Sequence, residues 1–180
     1  MIEDGMHEEY DKNGDLIGKY TYKDGKRNGP FESYLNGQLF EKGTFKNGML
    51  NGVVEEYLNG KLFSKITYKD YKRNGSFEEY SQEGHLIEKG AYKDNKRSGP
   101  FERYFNDGRL FEKGTYQNGM MNGVVEKYNP AGQLIEKCTY KDDQANGPFE
   151  WYKNGLLFEK GMFKDGKIVD IVNVEETCEG

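Results

Sequence analysis

The chain is poor in the residues from which most active sites and frameworks are built. Its 180 residues hold two cysteines, two histidines, four prolines and one tryptophan, and only 34% are apolar. Cys138 and Cys178 stand far apart with no second Cys or His at ligand spacing, which excludes a disulfide framework and a zinc site and leaves reduced thiols as the expectation. No apolar run approaches eighteen residues, and Met1-Ile2-Glu3-Asp4-Gly5 is not a signal peptide, so a soluble, non-exported, cytoplasmic protein is expected. Positive charge is in deficit. A net charge of -5 argues against wholesale attraction to DNA or anionic lipid, although a local basic edge stays open.

What is abundant is aromatic. Fourteen Tyr and eleven Phe are far more than a disordered chain carries, despite a mean hydropathy of -0.99. A thin folded layer reconciles the two facts, because it buries fewer residues than a sphere while its large side chains shield one another.

The aromatics fall into columns. Tyr10, Tyr34, Tyr57, Tyr80, Tyr104, Tyr128 and Tyr152 recur at steps of 23 or 24, in register with Leu16, Leu39, Leu62, Leu86, Leu110, Leu134 and Leu157. A glycine opens each copy: Gly5, Gly29, Gly52, Gly75, Gly99, Gly123 and Gly147. Only the segment from Tyr to Leu changes length, reading Leu35-Asn36-Gly37-Gln38 in one copy and Ser81-Gln82-Glu83-Gly84-His85 in another. A tolerated insertion marks an exposed turn, since one inside a strand would flip every later side chain to the opposite face. Asn-Gly is moreover the preferred two-residue hairpin turn. Each copy therefore reads as strand, tip turn, strand and return turn.

The expected architecture is all-β: an elongated single-layer antiparallel meander of seven tandem β-hairpin repeats within one domain, 1–180. The repeats fall at about 5–28, 29–51, 52–74, 75–98, 99–122, 123–146 and 147–169, with 170–180 a C-terminal capping strand and tail. About fourteen strands follow. Alternation places Leu39, Glu41, Gly43 and Phe45 on one side and Phe40, Lys42 and Thr44 on the other, and with aromatics on both, both faces are expected to be partly solvated. Pro30-Phe31-Glu32 recurs at Pro100-Phe101-Glu102, and Val53-Val54-Glu55 at Val124-Val125-Glu126, as in a duplicated three-hairpin block.

The unit Asn-Gly-Pro-Phe-Glu-x-Tyr, Asn-Gly, Leu-x-x-Lys-Gly-x-Tyr, Lys-Asp-Gly-Lys resembles the MORN repeat, and more closely its bacterial variant found in proteins labelled YwqK-family antitoxins. The resemblance spans about residues 5–169. It implies a hairpin repeat with no enzymatic role, acting as scaffold, dimerisation platform or membrane-associated module, and in the bacterial variant a partner that neutralises toxins.

Where the repeat breaks, no catalytic groups converge. His7 sits in the terminal unit and His85 in a tip turn, without an orienting partner in the sequence. Asp11-Lys12-Asn13-Gly14-Asp15 imitates an EF-hand opening but has Leu16 where glycine is needed and Tyr22 where the bidentate Glu belongs. No catalytic, metal or cofactor site is expected. The expected partner is another protein, a toxin by the resemblance, gripped by Tyr34, Tyr57, Tyr80, Tyr104 and Tyr128. The rival is a membrane surface meeting a basic edge of Lys26, Arg27, Lys72, Arg73, Lys96 and Arg97. Edge or end pairing with a second copy stays open, and a nucleic-acid platform is disfavoured by the acidic total.

Overall fold

The computed structural model describes residues 2–174, so the expected acidic tail and Cys178 lie outside the described residues. Those residues form two compact bodies. The first comprises residues 2–86 and 92–95, the second residues 87–91 and 96–174. The first body contains β1 (Gly5–Tyr10), β2 (Leu16–Lys23), β3 (Lys26–Leu35), β4 (Gln38–Lys46), β5 (Met49–Leu50), β6 (Gly52–Leu58), β7 (Lys61–Lys69) and β8 (Lys72–Tyr80). β9 (Leu86–Lys93) contributes to both. The second continues with β10 (Lys96–Arg97), β11 (Gly99–Tyr104), β12 (Leu110–Gln117), β13 (Met120–Met121), β14 (Gly123–Tyr128), β15 (Leu134–Lys141), β16 (Gln144–Lys153), β17 (Leu156–Lys164) and β18 (Lys167–Asn173).

Every described element is a strand, and within each body successive strands pair antiparallel as a meander. The strand count exceeds fourteen for a local reason. Asn51, Ser98 and Asn122 interrupt the opening strands of three hairpins, their amides donating to the Thr44, Ala91 and Thr115 carbonyls at 3.0, 2.9 and 2.9 Å. β18 is added at the end, paired along β17.

Asn36 (φ 51°) and Gly37 (φ 75°) both take positive φ, the two-residue turn whose twist matches the flanking strands. Where the tip is one residue longer, Asp11, Ser81 and Asn129 cap it with side-chain acceptors, Asp11 Oδ1 taking the Asn13 and Asp15 amides at 2.8 and 2.9 Å. The Asp11 stretch is thus a capped turn. The glycine that opens a hairpin is set by its conformation and by crowding: Gly29 has φ 129°, and a Cβ there would lie 2.9 Å from Thr21 Cβ.

One row of side chains crosses the strands as the core. In the first body Phe31 lies opposite Gly43, and Val54 and Phe77 both oppose Ile66; in the second Phe101 lies opposite Gly114, and Val125, Cys138 and Phe149 follow in line to Gly161. Large residues sit against bare backbone, so that a Cβ on Gly114 would be 2.9 Å from both the Phe101 ring and Val125. Phe31, Val54, Phe77, Phe101, Val125 and Phe149 are all 4% exposed or less. At about 25 cal/mol per Å² of apolar area, such a row is the main force holding neighbouring hairpins together.

The two sides are therefore less alike than alternation on its own suggests. Glu41, Gly43 and Phe45 share the packed side with Phe31, and Phe45 is buried, whereas Phe40 and Thr44 are exposed and Leu39, expected beside Glu41 and Gly43, pairs with Tyr34 on the other side. The cause is a bulge beside each tip: Ser33 pairs with Glu41 and Tyr34 with Leu39, leaving Phe40 as the unpaired extra residue turned to solvent. Ile17, Phe63, Phe111, Ile135 and Phe158 are the same bulge residue in other hairpins.

Candidate functional site

Opposite the core lies the solvated side, and it carries the tyrosine column. In each hairpin the Tyr and the Glu two residues before it point the same way, and the phenol donates to the carboxylate: Tyr57 to Glu55 at 2.6 Å, Tyr80 to Glu78 at 2.5 Å, Tyr128 to Glu126 at 2.5 Å and Tyr152 to Glu150 at 2.7 Å. Tyr10, Tyr34 and Tyr104 make the same bond to Glu8, Glu32 and Glu102. A lysine from the preceding hairpin closes the group. Lys42, Lys89 and Lys113 reach Glu55, Glu102 and Glu126 at 2.9, 3.0 and 2.8 Å and stand over the rings of Tyr57, Tyr104 and Tyr128 at 5.4, 5.6 and 5.6 Å.

These contacts set the protonation behaviour. The bond to Glu32 pushes the Tyr34 phenol up to about 12, and at Tyr80 burial with Glu78 does the same. Glu126 is held below the usual carboxylate range by Lys113 and then Tyr128, and Glu55 by Tyr57 and then Lys42. Within each body the expected contact tyrosines thus share one face, Tyr34, Tyr57 and Tyr80 in the first and Tyr104 and Tyr128 in the second, half-buried and fixed rather than swinging free. Further Glu–Lys pairs cross the strands on this side, Lys65 with Glu55 at 3.9 Å and Lys137 with Glu150 at 3.8 Å. Beside the tyrosines run the bulge residues, with Phe40 45%, Phe63 44% and Phe158 41% exposed, a row whose exposure depends on the bulge. A shallow depression of about 330 Å³ opens here among Leu35, Leu39, Phe40, Tyr57 and Leu58.

The six expected basic-edge residues divide. Lys26, Lys72 and Lys96 are exposed in the return turns, Lys72 lying 3.6 Å from Asp94. The arginines instead fold back onto the packed side. Arg27 stacks 3.6 Å above the Tyr20 ring and binds Glu9 at 3.1 Å; Arg73 lies 4.4 Å above Tyr92; Arg97 binds Glu88 at 2.5 Å. Their planar cations cover rings that a single layer leaves half-open. His7 packs its ring edge-on to Tyr22 at 5.3 Å.

The packed side also bears a row of polar residues next to the core row, and the two bodies fill it differently. In the first body the pairing runs Glu9, Gly18, Ser33, Glu41, Glu56, Ser64 and Glu79. In the second it runs Glu88, Arg103, Glu112, Lys127, Glu136 and Trp151. There Arg103 bridges Glu88 at 3.2 Å and Glu112 at 2.5 Å and donates to the Tyr116 hydroxyl at 2.9 Å, while Lys127 meets Glu136 at 2.9 Å. Nothing in the sequence columns singled out these residues, because they vary between hairpins.

Among the described residues no group of three or more His, Cys, Asp or Glu could hold a metal ion. Cys138 is a buried core residue, and burial pushes its thiol up to about 11.

Comparison with known proteins agrees with this geometry. The family model described as MORN repeat variant matches residues 3–24, 28–47, 50–70, 73–94, 97–118 and 121–142. That is six repeats. The hairpin of β16 and β17 lies beyond the match but keeps the pairings Phe149 with Gly161, Glu150 with Lys160 and Tyr152 with Leu157. No curated protein matches the chain. Among solved structures, one chain of "Crystal Structure of TcdB2-TccC3-TEV" is 14% identical over 87% of this chain and 11% of its own length, at a TM-score of 0.26, too slight a likeness to argue from. With matches across more than half of its length, and the hairpins to account for them, this chain belongs to the MORN repeat variant family.

Proposed function

We propose that the chain is a protein-binding module that grips its partner with the tyrosine face, and that it serves as an antitoxin or immunity protein for a partner toxin. MORN repeat proteins are generally non-catalytic binding modules, and their repeats suggest protein or membrane interaction. The observation that carries the reading is the pairing of a fixed tyrosine column with an exposed aromatic and aliphatic bulge row. Tyrosines already held by Glu lose little further freedom on binding, and the bulge residues offer apolar area without a covering layer.

The test uses a neighbouring gene product that arrests growth when expressed alone. Co-expression of the wild-type chain should restore growth, and F40A/Y57A/F63A should not, although its circular dichroism is unchanged. Equal rescue by both, or none by either, removes the proposal. The membrane reading rests on the exposed Lys26, Lys72 and Lys96. It predicts co-sedimentation with anionic vesicles that is lost when these lysines, with Arg27, Arg73 and Arg97, are changed to Glu.

A further inference from the structure

We infer that the free edge of β18 pairs antiparallel with β18 of a second copy, in a two-fold dimer that carries the core row of the second body onward through Ile171. The inference concerns a strand edge rather than the tyrosine face and does not rest on the toxin reading.

β18 pairs along β17, and among the described residues no other register pairing involves it. Its side chains are uncovered: Ile168, Val169, Ile171, Val172 and Val174 are all exposed. Ile171 lies opposite Gly161, which lies opposite Phe149, so it continues the core row; yet it is 47% exposed where Phe149 is 1% exposed. The backbone is open at the same place. Val174 N–H donates to the Phe158 carbonyl at 2.9 Å, and because antiparallel bonding alternates, Val172 also bonds towards β17 while the N–H and C=O of Ile171 point outwards. An apolar edge with open backbone groups is a template for another strand.

Self-complementarity selects a second β18 as the occupant. A two-fold axis at Ile171, perpendicular to the sheet, makes the two Ile171 residues exchange both backbone bonds and keeps the packed sides of both copies on one side. Two aliphatic residues already meet in this row in the first body, where Val54 lies opposite Ile66. Charge agrees with the same register. Lys42, Lys89 and Lys113 each reach a Glu on the following strand, but Lys160 has Val172 there and, like Asp170, makes no ion pair among the described residues. The two-fold sets Asp170 of each copy opposite Val172 of the other, with Lys160 next along the row, so that two acids meet two bases on the solvated side. The opening strand of the first body offers no such edge, since β1 reads Gly-Met-His-Glu-Glu-Tyr and has no branched aliphatic residue.

The full chain is followed by sedimentation velocity. It should run as a monomer at about 1 µM and as a dimer, with nothing larger, at about 500 µM, because a pair of seven-residue strands buries less than a standard interface and a two-fold contact closes on itself. Over that range amide hydrogen exchange at Ile171 should slow by about tenfold or more. Ile171→Pro removes only an outward N–H, which an edge strand tolerates, so it should weaken association by about tenfold or more and keep the wild-type dichroism spectrum. Asp170→Lys should weaken association by about fivefold, and adding Lys160→Glu should restore it. F40A/Y57A/F63A should dimerise as the wild type does, which separates this inference from the proposed function. A monomer at the highest concentration, growth past the dimer, wild-type association of Ile171→Pro or failure of the charge swap to restore it overturns the inference. So does an Ile171 amide that exchanges slowly at every concentration, since later residues of the chain would then cover the edge.

Discussion

The two bodies are made of the same hairpin and the same core row, yet they treat charge in opposite ways. The second alternates Glu88, Arg103, Glu112, Lys127 and Glu136 across successive strands, and each acid has a base beside it. The first sets Glu41 against Glu56 and dilutes the remainder with Gly18, Ser33 and Ser64. A duplicated scaffold can therefore keep its apolar row for stability and vary the adjacent row freely, because each residue there touches only its neighbours.

The deepest cut at this comparison goes through the part that is meant to be equal. Phe31→Ala and Phe101→Ala should each cost about 3–4 kcal/mol, read from urea midpoints, since both rings fill the space above a glycine. Unequal losses would mean that the cores, too, have diverged. Next in size is the charge row. Arg103→Ala leaves Glu112, which is 6% exposed, without its guanidinium and should cost about 2 kcal/mol, whereas Ser33→Ala at the counterpart position should fall within about 0.5 kcal/mol.

The remaining two predictions have opposite signs. Glu41 has a raised pKa in the fold, from burial and then Glu56, so its stabilising protonated state holds at low pH and is lost as pH rises through that raised value. Glu41→Gln should therefore stabilise the chain at pH 7 by about 0.5 kcal/mol, the carboxyl being half-solvated, with the gain vanishing below pH 4 or so. Glu126 is the reverse case. Lys113 and Tyr128 lower its pKa, so its contribution is present above the ordinary carboxylate range and is lost as pH falls. Glu126→Gln should cost about 0.5 kcal/mol at neutral pH and nothing in acid, and thermal melts across pH check both signs.

Much of the fold was legible because it is written repeatedly. Asn36-Gly37 announces a tip, the change of length at Ser81–His85 confirms where insertions are tolerated, and the six-residue step from Leu39 to Phe45, repeated from Leu110 to Tyr116, fixes the strand between turns. The candidate surface was legible only in part. Tyr34, Tyr57 and Tyr80 share a face of the first body and Tyr104 and Tyr128 a face of the second, but their fixing by Glu needs a side-chain direction that the bulge sets. Phe40 was visible as an aromatic on the other side from Phe45, and its exposure came from the same bulge. Arg27, Arg73 and Arg97 read as turn residues beside lysines, and only packing shows that they lie on rings.

The sequence by itself determined the hairpin, its length, its turn chemistry and the column of large residues, because these depend on neighbours within one repeat and recur until chance is excluded. Tertiary structure decided which side is packed, where the arginines go and which carboxylates find a cation. Those outcomes depend on strands from adjacent hairpins meeting side by side, and one hairpin's residues carry no record of what the next will set against them.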